Sequence, residues 1–259
     1  MNLIKKVTLI ISGLLLLGIA GCKAKHKGEQ TTGFLSNFVN ISDKEDKGIK
    51  EILAFYGGKC EYGYETNAES GKDPEKFFWI KLSDSNELDT LIGSPGFEAI
   101  EELSGANIAY LFYKNIGNEK YNYTSIKTIL VSKKNGQTEY LYSIAELDKV
   151  NRKVPLVGKI IDFIIHKQFN ELGNKFTIDK QIVDINIDTM ITKLQEAEAV
   201  FGNASGFVLD GFRFITSKSG KRVLVFSGYI QRDKQNNLFS IVVDPDTFNE
   251  TIYNLDYTL

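Results

Sequence analysis

The stretch DTMITKLQEAEAVFG, residues 188–202, and the four runs that follow it, Phe207–Thr216, Arg222–Ile230, Leu238–Asp244 and Thr251–Tyr257, decide the fold. In the first stretch Met190, Ile191, Leu194, Ala197 and Phe201 recur at three- and four-residue spacing, which lines one face of an α-helix. Asp188 stands where an N-cap carboxylate can accept from a backbone N–H, and Gly202 supplies a stop. The four runs are rich in β-branched and aromatic residues and are separated by Ser217–Lys221, Gln231–Asn237 and Pro245–Glu250. A helix followed by an antiparallel meander is the simplest path for this order, giving a sheet with one face on the helix.

Upstream, the chain reads as a second α+β set. Ile49, Ile52, Leu53 and Tyr56 predict a short amphipathic helix within 34–56, stopped by Gly57-Gly58. Cys60, Tyr62 and Tyr64 alternate with Glu61, Gly63 and Glu65, so a half-buried strand is expected with its aromatic side inward and its glutamates outward. Lys76–Leu82 sets Phe77, Phe78 and Trp79 between lysines and predicts a strand covered on both faces. Phe97–Asn115 predicts a helix with Ile100, Leu103, Ala106, Tyr110 and Tyr113 along one face. Tyr123–Val131 and Gln137–Ser143 flank Asn135-Gly136, the residue pair favoured in a type I′ hairpin turn because both tolerate positive φ.

Pro155–Leu172 carries Val157, Ile160, Ile161, Ile164, Ile165, Phe169 and Leu172 at helical spacing and predicts a helix packed between other elements, ended by Gly173. The expected class is therefore α+β, with helices packed on antiparallel sheets in two units, 34–172 and 173–259. The element order of the second unit resembles the helix-on-sheet shape of cystatin-like or NTF2-like small domains.

The amino terminus has a different character. Lys5 and Lys6 precede an uncharged run of 15 residues, Val7–Gly21, and then Cys22. A membrane-spanning helix needs about 20 residues, so this run is short for a permanent span and fits a cleaved secretory signal. Two lysines, an apolar run, the small pair Ala20-Gly21 and a cysteine together resemble the lipobox of bacterial lipoproteins. That resemblance implies cleavage between Gly21 and Cys22 and a diacylglycerol on the Cys22 thiol. It also implies an extracytoplasmic location in the cell envelope, at the outer membrane if the source has one. Residues 1–21 are then a signal peptide, and 22–33, polar and basic, a flexible tether in which His26 is solvated.

Charge and cysteine content narrow the function. Lys and Arg number 31 against 33 Asp and Glu, and loss of Lys5 and Lys6 with the signal moves the net charge from −2 to −4. With no clustered basic face, nucleic acid is excluded as a partner. With Cys22 lipidated, Cys60 has no partner within the chain and reads as a small buried hydrophobe, so the fold must rest on its core.

No catalytic set assembles along the chain. His166 lies among apolar helical residues and reads as a core or interface histidine. Neither an H-E-x-x-H nor an S-x-x-K motif occurs. Asp84–Asp89 opens like a calcium loop, but Asp89 and Pro95 occupy the positions that need glycine and glutamate. Asp244-Pro245-Asp246 and Ser219-Gly220-Lys221 read as turns. No catalytic, cofactor-binding or metal-binding residue is expected. Trp79, Tyr62 and Tyr64 form the expected binding surface, since aromatic faces take sugars or peptides. The expected function is that of a lipid-anchored envelope protein binding a protein or an envelope polymer. The alternatives are a hydrolase of envelope glycan or peptide working through dispersed carboxylates, and an immunity or inhibitor lipoprotein.

Overall fold

The computed structural model describes residues 40–67, 74–93, 99–117, 122–179, 182 and 185–257. The signal peptide 1–21, Cys22, the tether 22–33 and His26 lie outside the described residues.

Helix α1 (Asp43–Tyr56) opens with a capping box: Ser42 Oγ accepts from the Glu45 N–H at 3.2 Å, and the Glu45 carboxylate accepts from the Ser42 N–H at 2.7 Å. Ile49, Ile52 and Tyr56 are its buried face, and Gly57, at φ 63°, ends it. Strands β1 (Lys59–Asn67) and β2 (Glu75–Ser83) pair antiparallel. Helices α2 (Asn86–Gly93) and α3 (Ile100–Ile116) then carry the chain back, so β3 (Ser125–Ser132) joins β2 in parallel before β4 (Gly136–Ser143) closes the sheet. The first sheet is thus β1-β2-β3-β4 with one parallel pair, not wholly antiparallel as expected. A parallel pair requires a long crossover, and α2 and α3 supply it.

Helix α3 is buried around its whole circumference rather than along one stripe: 13 of its 17 residues are inaccessible, including the polar Ser104 and Asn107. Small residues make this possible. Gly105 meets Tyr140 and Thr128 of the first sheet, where an added Cβ would come within 2.7 Å of the Tyr140 ring. The Leu103 carbonyl lies against Gly211 of the second sheet, and a Cβ there would collide with it.

The 133–136 hairpin forms where expected but with a different turn. Ser132 pairs with Gly136, leaving Lys133, Lys134 and Asn135 in a three-residue loop. Ser132 Oγ accepts from the Asn135 N–H at 3.1 Å, and among these residues only Gly136 takes a positive φ, 72°, whereas type I′ needs two.

Helix α4 (Ile144–Ile165) begins 11 residues before the expected Pro155. Its start is a second capping box, Ser143 with Glu146, and Pro155 sits inside the helix. It ends at the exposed His166, and the left-handed Lys167 (φ 58°) separates it from the short α5 (Phe169–Gly173), so the predicted single helix over 155–172 is broken. Among the described residues no helix is long and apolar enough to cross a membrane.

Helix α6 (Ile187–Phe201) is capped by Asn186, whose Oδ1 accepts from the Thr189 N–H at 3.0 Å. Asp188 lies in the first turn instead of at the cap. The helix leads into the expected meander, β5 (Ala204–Thr216), β6 (Arg222–Arg232), β7 (Asn237–Val243) and β8 (Ile252–Tyr257), hydrogen-bonded in that order. The fold is α+β, with helices packed on sheets and a helix-then-meander carboxy-terminal part. One hydrophobic core runs from Ile49 to Leu255 and draws on both sheets.

Candidate functional site

Alternation along the strands gives the first sheet two faces of different character. Phe78, Ile80, Leu82, Ile126 and Leu130 are fully buried on the helix side. The other side is set by register. Gly63, Trp79, Lys127 and Leu141 make one row across the four strands. Glu61, Lys81, Ile129 and Glu139 make a neighbouring row. On this face Phe77 is buried, Trp79, Lys81, Lys127 and Ile129 are half-buried and Leu141 is 52% exposed, so β2 is covered here at Phe77, as the sequence suggested, and the face opens only toward β4.

Trp79 lies over the strand next to it. A Cβ placed on Gly63 would stand 2.9 Å from Trp79 Cζ2 and 3.0 Å from its Cε2 and Nε1. The missing side chain at Gly63 therefore lets the indole rest on the β1 backbone. Charged pairs flank it. Lys127 Nζ is 2.7 Å from Glu65 Oε2 and 5.2 Å from the Phe77 ring centre; Lys81 Nζ is 3.4 Å from Glu61 Oε2.

Tyr62 and Tyr64 do not share this surface. They pair with Ile80 and Phe78 and point to the helix side, opposite Trp79. Tyr62 stacks on Phe78 at 6.2 Å between ring centres, and Tyr64 meets the same ring edge-on at 5.2 Å. The strand turns this side inward as expected, but Tyr64 stays 46% exposed. Its hydroxyl donates to the buried Glu45 carboxylate at 3.1 and 3.2 Å, and the Tyr123 hydroxyl donates there at 3.2 Å. Burial, then the Glu45 charge, pushes the Tyr64 phenol up to about 12. Cys60, on the same side, is buried, and burial followed by the Glu61 charge pushes its thiol up to about 12, which disfavours the reactive thiolate.

His166 is not in the core: its side chain is 61% exposed, with Nδ1 2.9 Å from the Asp162 carbonyl. Asp84 pairs with Lys59 at 2.8 Å, and the Asp244 carboxylate accepts from the Asp246 N–H at 2.9 Å, the turn geometry expected there. Among the described residues no group of three or more His, Cys, Asp or Glu could hold a metal ion.

One acidic residue stands out that the sequence did not single out. Asp210 sits at a bulge between Leu209 and Gly211 in β5 and has no hydrogen-bond or ion-pair partner among the described residues. Burial pushes its carboxyl up to about 7, and its charge is felt by Tyr56 and Tyr229, as is that of the exposed Glu87. The signal available was the Asp210-Gly211 pair interrupting an otherwise β-rich run, a common mark of a bulge.

Two further features are structural. Lys153, buried in α4, donates to the Asn249 carbonyl at 3.0 Å, and Lys149–Asp246 (2.5 Å) and Lys159–Glu250 (2.6 Å) fasten the same loop to that helix. An open groove of about 920 Å³ between α5 and α6 is lined by Phe169, Ile178, Ile187 and Ile191 with Asn170 and Asn186, and contains no pair of titratable groups suited to acid–base chemistry. No protein-family model matches the chain, and neither a curated protein nor a solved structure matches it.

Proposed function

We propose that this chain is a lipid-anchored protein of the bacterial cell envelope whose folded part is a binding module rather than an enzyme. Anchoring is supported by the order of Lys5-Lys6, the apolar run Val7–Gly21 and Cys22. The binding reading is carried by one observation, the open face of the first sheet with Trp79 laid over Gly63. Each buried methylene of an acyl chain contributes ~0.8 kcal/mol, so two or more chains on Cys22 hold the module at the membrane surface. There its effective concentration toward other envelope components is raised without any new contact.

The test of anchoring is metabolic labelling with a fatty acid. Cys22→Ser abolishes the label and leaves unprocessed precursor; unchanged labelling would remove the anchor from the proposal. A hydrolase is the second reading, favoured by Asp210 at the β5 bulge, whose carboxyl, raised by burial, suits a general acid. Turnover of envelope glycan or peptide by the purified protein, lost in Asp210→Asn, would establish it in place of the binding reading.

A further inference from the structure

We infer that the open face of the first sheet binds a neutral glycan chain across Trp79, an inference that rests on the binding-module reading. Because Gly63 has no side chain, the indole rests on the β1 backbone, and Trp79 stays half-buried rather than enclosed. A pyranose ring carries an apolar face of C–H groups, which stacks on such a ring and is dehydrated by it. The indole N–H has no protein acceptor among the described residues, so it is free to donate to a sugar hydroxyl.

Charge selects among polymers. Around the indole, Lys127 is matched by Glu65 and Lys81 by Glu61, and Glu139 adds a third carboxylate in the Lys81 row, so the face has donors and acceptors but no excess of positive charge. A polyanion would meet a carboxylate beside each productive lysine contact, whereas hydroxyl and amide groups can bond to both partners of each pair. A protein partner is less suited, because the centre of a protein interface is depleted of charged residues and here charged side chains ring the aromatic anchor. Besides the buried Phe77 next to Trp79 on β2, the apolar groups of this face, Ile129, Val131 and Leu141, stand one and two strands beyond Trp79, on or past the strand that bears Lys127. A half-open sheet face fits an extended chain better than a small molecule, which calls for a concave pocket.

The experiment is titration of the full lipidated chain, held in detergent micelles, with soluble neutral hexasaccharides of N-acetylglucosamine, glucose and mannose, and with a sulfated oligosaccharide as the anionic control. At least one neutral hexasaccharide binds, and its affinity is the same at low and high salt. Trp79→Ala weakens it roughly tenfold or more while Trp79→Tyr stays within a few-fold of the parent. Gly63→Val, which forces the indole off the backbone, weakens it in the same direction, and unchanged melting curves show that these variants remain folded. Binding of the sulfated control alone, full affinity in folded Trp79→Ala, or no binding of any neutral hexasaccharide would each overturn the glycan inference. The broader reading survives such a result if a purified envelope protein binds in a Trp79-dependent way, and it falls separately through the Cys22 labelling or the turnover assay.

Discussion

Asp210 shows how a single residue can be set against the stability of its surroundings. An aspartate ordinarily ionises near ~3.9, but burial at the β5 bulge raises this carboxyl to about 7. The unfolded chain therefore releases its proton at lower pH than the folded one. The stability linked to this group is intact below about pH 4, declines as pH rises toward 7, and is lost above it. Asp210→Asn removes the titration. At pH 8 the variant is more stable than the parent by on the order of 1–3 kcal/mol, and near pH 4 the two converge. Denaturant midpoints measured from pH 4 to pH 8 check this, and parallel curves for the two proteins would contradict it. The position could be read from the sequence as an acid in a β-rich run. Its desolvation could not, because the groups around it, Tyr56 and Tyr229, come from α1 and β6.

Among the elements, α4 and β5 carry the instructive differences. Proline is favoured in the first turn of a helix, which drew the expected start of α4 to Pro155; the capping box of Ser143 and Glu146 starts it in fact. Ser143→Ala should cost about 1 kcal/mol in chemical denaturation. Two glycines of β5 allow a paired test of how closely this strand approaches its neighbours. At Gly211 an added Cβ meets the backbone carbonyl of Leu103 in α3, whereas at Gly206 it meets the mobile end of Gln231 at 2.7 Å. Gly211→Ala is therefore expected to destabilise by about 1–3 kcal/mol as helix and strand are pushed apart, and Gly206→Ala by about 0.5 kcal/mol or less. Equal effects at the two sites would mean that α3 can shift without cost.

For the molecule as a whole, the decisive fact is the shared core. Leu103 and Phe112 of α3, Phe78 of the first sheet and Phe212 of the second belong to one buried cluster. Two units with separate cores would melt separately; a core drawn from both halves predicts a single cooperative transition in calorimetry of the full chain in detergent. Cys60 is a free buried thiol, so neither reductant nor chelator should move that transition. Two resolved transitions, or a shift of many degrees with either reagent, would defeat the expectation.

Local chemistry by itself determined the helix over 187–201, the four strands of the meander, and the glycines that end α1 and α6. These follow from periods of 3.6 and 2.0 and from backbone freedom, which depend on near neighbours along the chain. The parallel pairing of β2 with β3, the burial of α3 on all sides and the separation of Trp79 from Tyr62 and Tyr64 were decided only by the tertiary structure. Each depends on which remote segments meet and in what register. The alternation within β1 was visible in the sequence, but only the pairing of Gly63 with Trp79 sets the indole over a bare backbone on the half-open side of the sheet.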